Sequence, residues 1–388
     1  MARLPILLLM AALGPALAAQ TSLTIDQFEK SSLPAIHTMH DKQAARELSG
    51  LRLTERASHV RAAAWQSQMP GRYSSEALMA LIDASSFLDL PAAEIPATTA
   101  PDLAAQKQML TQTADSVETM LHKLPNFYAK RTTTHFETAT PGELLEQQQA
   151  LALHQLQDTA STPLAQLRPD RLPHQELGPV DRSKPELGRL FYITDEVQTV
   201  TYSNGKEVAS GGNGGWQGAN LGLATSGEFG PILNMVLEDA LQRGLSWSHW
   251  EQGASGPLAV FRYDVPKDLS HYEIVSWAGK PPYFPAYHGE IGIDPATGAV
   301  LRITIQSSGA SQSDESIDSG ILVEYAQVAI GGRMYNCPIH CVAGSRTHGP
   351  DHGSGEAKDA PGSAQPGFLN DVTFTGYHLF RGEVRILP

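Results

Sequence analysis

Two periods of hydrophobicity divide this chain. Before Phe127 the apolar residues recur at three-and-four spacing, the mark of helices with one buried face. Leu78, Leu81, Ile82 and Ser85 form such a stripe on a helix opening at Ser74 or Ser75. Asp41 is placed to cap a helix over about Lys42 to Ser49, and Thr54 a second running to about Gln68, where Pro70-Gly71 stops it. Asp102 opens a fourth helix, carrying Leu103, Met109, Leu110, Val117, Met120, Leu121 and Leu124. The Pro-rich stretch Leu90 to Pro101 reads as the loop between the last two.

Beyond Phe127 the pattern alternates. Strands are predicted at Tyr128 to Phe136, Leu190 to Tyr202, Lys206 to Val208, Leu245 to Glu251, Ala259 to Val265 and Tyr272 to Trp277. Further strands follow at Tyr287 to Ile293, Ala299 to Gln306, Ile321 to Val328, Arg333 to Val342 and Asp371 to Leu387. Asn204-Gly205 signals a two-residue hairpin, since both central positions of that turn favour positive φ. Turns at Asp294 to Gly298 and Gly331-Gly332 join later pairs into an antiparallel meander. One helical period interrupts it, over Glu228 to Gly244, with Phe229, Ile232, Leu233, Val236, Leu237 and Leu241 on one side. Leu144 to Gln157 reads as a Gln-rich helix, and Arg168 to Pro185 as a Pro-rich loop. Only four of the 27 aromatic residues precede Phe127, which sets the boundary between the two habits near Pro125.

The predicted class is therefore α+β: an N-terminal helical segment at 19–125, then a curved, half-open antiparallel sheet at 126–388 crossed by one helix at 228–244. The Gly-, Ser- and Pro-rich stretch around 345–367 is expected to be a flexible loop.

Composition narrows the function. With 388 residues, 41% hydrophobic and 18% charged, the chain can bury two ordinary cores. A net charge of -13 argues against nucleic acid as a partner. Two cysteines cannot frame a chain of this length. Arg3, the apolar run Leu4 to Leu13 and the tripeptide Ala16-Leu17-Ala18 read as a signal peptide over 1–18, cleaved before Ala19. That predicts export to a periplasmic or extracellular location. No later apolar run reaches the ~20 residues of a membrane span.

The stretch from Glu290 to Ile305, and the strand, glycine turn and strand from Val323 through Gly332 to Pro338, resemble the curved sheet of the periplasmic lipoprotein-carrier (Lol-type) superfamily. That resemblance implies a hydrophobic cavity for acyl chains. The segments Leu53-Thr54-Glu55-Arg56, Ala84 to Leu88, Leu124 to Tyr128 and Asn204 to Val208 resemble those of a group of exported bacterial proteins of unknown function.

The strands set Ala259, Phe261, Tyr263 and Val265 against Arg262 and Asp264, so one face is buried and the other wetted. Trp216, Trp247, Trp250, Phe261, Tyr263, Trp277 and Tyr283 are the candidate lining of an apolar groove, or else filling between sheet and helix. His249, His271 and His288 each precede a glutamate by two, at Glu251, Glu273 and Glu290, and can share a strand face. Such pairs can supply acid and base groups or simply decorate a wetted face. Cys337-Pro338-Ile339-His340-Cys341, with His348 and His352, offers soft ligands. Residues four apart on a strand lie about 13 Å apart, too far for one disulfide or one metal unless Pro338 bends the chain. No cofactor motif, hydrolase elbow, zinc-protease helix or P-loop is present, and no metal site is predicted. The leading expectation is an exported, non-enzymatic protein that binds a hydrophobic ligand or envelope lipid in the sheet concavity. The alternatives are a structural or interaction module of the envelope, and an exported hydrolase using a His/Glu pair.

Overall fold

The computed structural model describes residues 20–138, 189–209, 223–254, 256–275, 281–310, 316–348 and 367–380. The expected leader, the stretches 144–157 and 168–185, Trp216 and Trp277 lie outside them.

The architecture is α+β. Ten strands form one antiparallel sheet: β3 (Phe127–Thr138), β4 (Leu190–Ser203), β5 (Lys206–Ala209), β6 (Ser246–Gly253), β7 (Gly256–Val265), β8 (Tyr287–Ile293), β9 (Val300–Ala310), β10 (Ser316–Ile330), β11 (Arg333–His348) and β12 (Gly367–Leu379). Their order is β5-β4-β3-β12-β11-β10-β9-β8-β7-β6, open between β5 and β6. The hairpin at Asn204-Gly205 has both residues at positive φ, 52° and 77°, as its dipeptide requires. Tyr272 to Trp277 is not a ladder strand among the described residues. There Ile274 makes a single bridge to Tyr283, while the Tyr272 hydroxyl shares a hydrogen bond with Ser319 (3.0 Å).

Each face of the sheet has its own cover. On one face lie α6 (Leu103–Lys123) and α7 (Pro231–Arg243). Met109 and Val117 of α6 and Ile232, Leu233, Val236, Leu237 and Ala240 of α7 pack with Phe261, Tyr263, Ile291, Ile303, Val323, Cys341 and Val372 from the strands. Leu241 is half-exposed, so the buried stripe of α7 runs through Ala240 instead. The same core holds Cys337 and Cys341 as separate free thiols, with no disulfide between them. Burial pushes the Cys337 thiol up to about 12.

The opposite face meets a second helical group: α1 (Ile25–Gln27), α2 (Leu33–His37), α3 (Asp41–Ser49), α4 (His59–Gln66) and α5 (Arg72–Ala84), with a parallel pair β1 (Thr21–Leu23) and β2 (Leu51–Leu53). These close over their own core of Phe28, Ile36, Leu48, Leu53, Trp65 and Leu78. The helical segment thus divides: α1–α5 own one core, and α6 belongs to the sheet. Two caps also differ from expectation. Asp41 begins α3 but spends its carboxylate on α5, accepting from the Ser74 amide (2.7 Å) and the Tyr73 amide (3.2 Å). Thr54 is replaced as a start signal by Ser58, because residues 51–53 are claimed by β2.

Ala80 of α5 packs on Phe136, Leu322, Val342 and Leu369, the small apolar contact between the helical group and the sheet. Close approach there depends on Gly320, where a Cβ would stand 2.8 Å from the ring of Phe87. Phe261 is fully buried beneath α6 and α7. Phe261→Ala is expected to lower the unfolding free energy by about 3–5 kcal/mol in urea titrations, from lost burial plus the cavity left behind.

Candidate functional site

The alternation that buries one face of the strands sends every second residue to the other, where the helical group cannot offer enough apolar surface to match. What fills that seam is charge. From β6 to β12 the seam-facing residues include Glu251, Arg262, Glu290, Arg302, Glu324, His340 and Asp371. Arg56 and His59, the turn Ser85–Asp89 and Asp83 of α5 approach from the other side.

The first focus is Glu251, whose side chain is only 4% exposed. Its Oε1 accepts from Arg56 Nη2 (2.5 Å), Arg302 Nη2 (2.9 Å) and His249 Nε2 (3.0 Å), and its Oε2 from Arg302 Nη1 (2.5 Å). Burial works to raise this carboxyl, but the bonds from His249 and Arg302 and the charges of Arg302 and Arg56 hold it well below the usual carboxylate range. Arg302 stretches from β9 to β6 alongside Gly292, its register partner on β8, which presents no side chain. Its Nε is buried without a hydrogen-bond partner.

Beside this cluster a cavity of about 600 Å³ opens between the sheet and the turn Ser85–Asp89. Arg56, Arg262 and Arg302 line it together with Asp89, Asp264, Glu290 and His288. Arg262, half-exposed, donates to Glu290 (2.9 Å) and to Asp89 (3.1 Å) and so ties sheet to turn across the mouth. The Arg56 amide donates to the Asp89 carbonyl (2.9 Å), fixing the turn from behind. The wall is polar and carries both signs of charge, with hydroxyls from Ser86, Ser246 and Thr304.

The second focus is a chain of hydrogen bonds. His59 Nε2 meets Glu324 Oε1 (2.6 Å); His340 Nδ1 donates to Glu324 Oε2 (3.1 Å); His340 Nε2 meets Asp371 Oδ2 (2.8 Å). Asp83 completes it, and donor atoms of Asp83, His340 and Asp371 lie within 4.8 Å of one another. Among the described residues this is the group that can hold a metal ion. Burial, then the charge of Asp371, pushes the Asp83 carboxyl well above its ordinary value. Burial opposes a charge on His340, but Asp371 and Glu324 outweigh it and raise the imidazole.

The sequence-selected residues fall elsewhere, with exceptions. Phe261 belongs to the apolar core; Tyr263 packs in that core and also lines the cavity, its hydroxyl donating to the Thr304 carbonyl (2.5 Å). Trp247 and Trp250 are half-buried at the β6 edge, in edge-to-face contact at 4.9 Å; the Trp250 indole donates to the Thr99 carbonyl (3.0 Å). Tyr283 is buried beside the bridge to Ile274. Of the His-x-Glu pairs, His249 and Glu251 do meet. His271 instead pairs with Asp239 of α7 (2.5 Å), and His288 lines the cavity beside Glu290. Arg302, Glu324 and Asp371 escape a reading by motif, since each sits in the polar phase of an alternation that equally describes a wetted face, and Arg56 lies outside any helix or strand. Asp83 had a signal: it follows Leu81 and Ile82 within an otherwise apolar helical stretch.

No family model, curated protein or solved structure matches the chain. Among the described residues no helix is long and apolar enough to cross a membrane.

The seam sets the pH response. A carboxyl held low in the fold stabilises it fully above the ordinary value, 4.5, and loses that contribution as pH falls below it. Glu251 and Glu324 are of this kind. Glu251→Gln is expected to cost about 3–5 kcal/mol at pH 6, leaving Arg56 and Arg302 unpaired, and less at pH 3. Glu207 has the opposite sign. Burial, and then Glu228, raises it to about 8, so the folded chain keeps a proton that the unfolded chain releases, and stability falls between pH 5 and 8. Glu207→Gln is expected to flatten that decline in urea midpoints measured at pH 5, 6.5 and 8.

Proposed function

We propose that this is an exported, non-enzymatic binding protein whose ligand is a small polar molecule carrying an acidic group, held in the cavity between the Ser85–Asp89 turn and strands β7–β9. One observation carries the reading. Arg302 lines that cavity together with Arg56 and Arg262, so three guanidinium groups converge on one polar space. A planar guanidinium is suited to carboxylate or phosphate oxygens. Asp89, Asp264 and Glu290 add acceptors, which favours a ligand that also presents hydroxyl or amino donors. Against an acyl ligand stands the filling of the apolar face: α6 and α7 occupy the space above Phe261 and Tyr263.

A hydrolase reading would need an acid and a base that are both accessible. In the pair His249–Glu251, the glutamate is already committed to two arginines.

Thermal-shift and calorimetric titration of the purified chain with amino acids, short acidic peptides, sugar acids and fatty acids tests the proposal. An acidic polar compound is expected to bind and raise the melting temperature. Arg262→Ala, at the half-exposed mouth, is expected to weaken that binding at least about tenfold, the loss of one charge-assisted contact, with little change in the unliganded melting temperature. Uptake of fatty acids alone, or binding indifferent to Arg262, would overturn it.

A further inference from the structure

We propose that Asp83, His340 and Asp371 form a binding site for one divalent transition-metal ion, which joins the helical group to the sheet. The inference is independent of the ligand cavity.

The three donors come from three elements: Asp83 from the last turn of α5, His340 from β11 and Asp371 from β12. They converge because α5 packs on this part of the sheet through Ala80, and because His340 and Asp371 point to the same face on adjacent strands. The spacing suits a shared ion. Ligand atoms about 2.0–2.2 Å from a metal stand roughly 2.9–3.4 Å from one another, and His340 Nε2 and Asp371 Oδ2 are 2.8 Å apart. The donor atoms of the whole set lie within 4.8 Å of one another.

Two further observations point to a cation. Asp83 is 3% exposed, and its Oδ2 is buried with no hydrogen-bond partner. Asp83 lies against Asp371, and a shared cation would supply the partner that Oδ2 lacks and offset the repulsion between the two carboxyl groups. The outer shell is also of the kind that metal-binding histidines show. His340 Nδ1 donates to Glu324 Oε2 at 3.1 Å, and a metal ion would take the place of the proton that Nε2 shares with Asp371 Oδ2 at 2.8 Å. Glu324 is in turn held by His59 at 2.6 Å. Among the described residues the ionisable groups around the cluster are Asp83, Asp371, Glu324, His340 and His59, with Arg302 opposite Glu324 in the register of β9 and β10.

The donor set indicates the class of ion. One imidazole with two carboxylates and room for water suits zinc, manganese or ferrous iron, while the imidazole disfavours calcium and magnesium. The cysteines are excluded, since Cys337 and Cys341 face the opposite side of the sheet, in the apolar core.

The experiment uses the full chain, stripped with chelator and reloaded with Zn²⁺. After gel filtration, elemental analysis is expected to find zinc retained at micromolar free metal, with one fewer ion per chain in Asp83→Asn and in His340→Gln. Glu324→Gln, which changes only the outer shell, is expected to retain the ion with affinity lowered about 10- to 100-fold. X-ray absorption of the zinc-loaded wild-type chain reads the site without any variant: a shell of one imidazole and otherwise oxygen is expected. No zinc retained by the wild-type chain, a shell containing sulfur or several imidazoles, or folded Asp83→Asn and His340→Gln proteins that keep the full zinc content would each overturn the proposal.

Discussion

Glu251 sits out of water between two guanidinium groups that come from opposite sides of the molecule, Arg302 from the sheet and Arg56 from the segment after β2. Neither arginine can be left there alone, and neither can the glutamate, because a desolvated charge without its counter-charge costs several kcal/mol. The position of the whole helical group follows from that requirement. Its apolar contact with the sheet is small, a few side chains around Ala80, so orientation is set by matching charge to charge along the seam. An apolar interface tolerates sliding by a fraction of a residue; a bidentate arginine–carboxylate pair does not.

The two faces of one sheet therefore do different work. Beneath α6 and α7 the strands pack by volume, with Phe261, Ile291, Ile303 and Val323 excluded from solvent. Over the other face polar residues are only partly satisfied by one another. Arg302 Nε and Asp83 Oδ2 are both orphaned atoms of this seam, at two separate places along it.

Much of the fold is legible in the amino-acid sequence, because the strands carry clean alternation and the turns carry glycine at positive φ. The boundaries at Asp102, Asn204-Gly205 and Gly331-Gly332 all rest on local chemistry, and local chemistry survives folding. Readings that depended on distant partners fared differently. Asp41 has the right neighbours to cap its own helix, yet its carboxylate reaches Ser74, some thirty residues on. Tyr272 to Trp277 has strand-like residues, but Tyr272 is drawn to Ser319 and only Ile274 bridges. The seam was least legible of all. Arg262 or Glu324 in a period-two pattern reads as solvent-facing, and only the helical group, docked from the far end of the chain, turns that face into an interior. The aromatic residues mislead for the converse reason: Phe261 and Tyr263 are rightly inward, but what fills the inside is protein.

The order of strands also bears on how the molecule is made. β3 pairs with β12, register partner to register partner from Phe127 with Leu379 to Glu137 with Phe368. The two strands are separated by most of the sheet's sequence, so a growing chain that has produced β3, β4 and β5 holds a hairpin whose inner edge has no neighbour until the last strand is synthesised. Every other junction in the row from β6 to β12 forms between consecutive strands and can close as it emerges. Among the described strands the β3–β12 pairing is thus the long-range closure in a row otherwise built from consecutive neighbours, and it carries the loop-closure cost that the hairpins avoid.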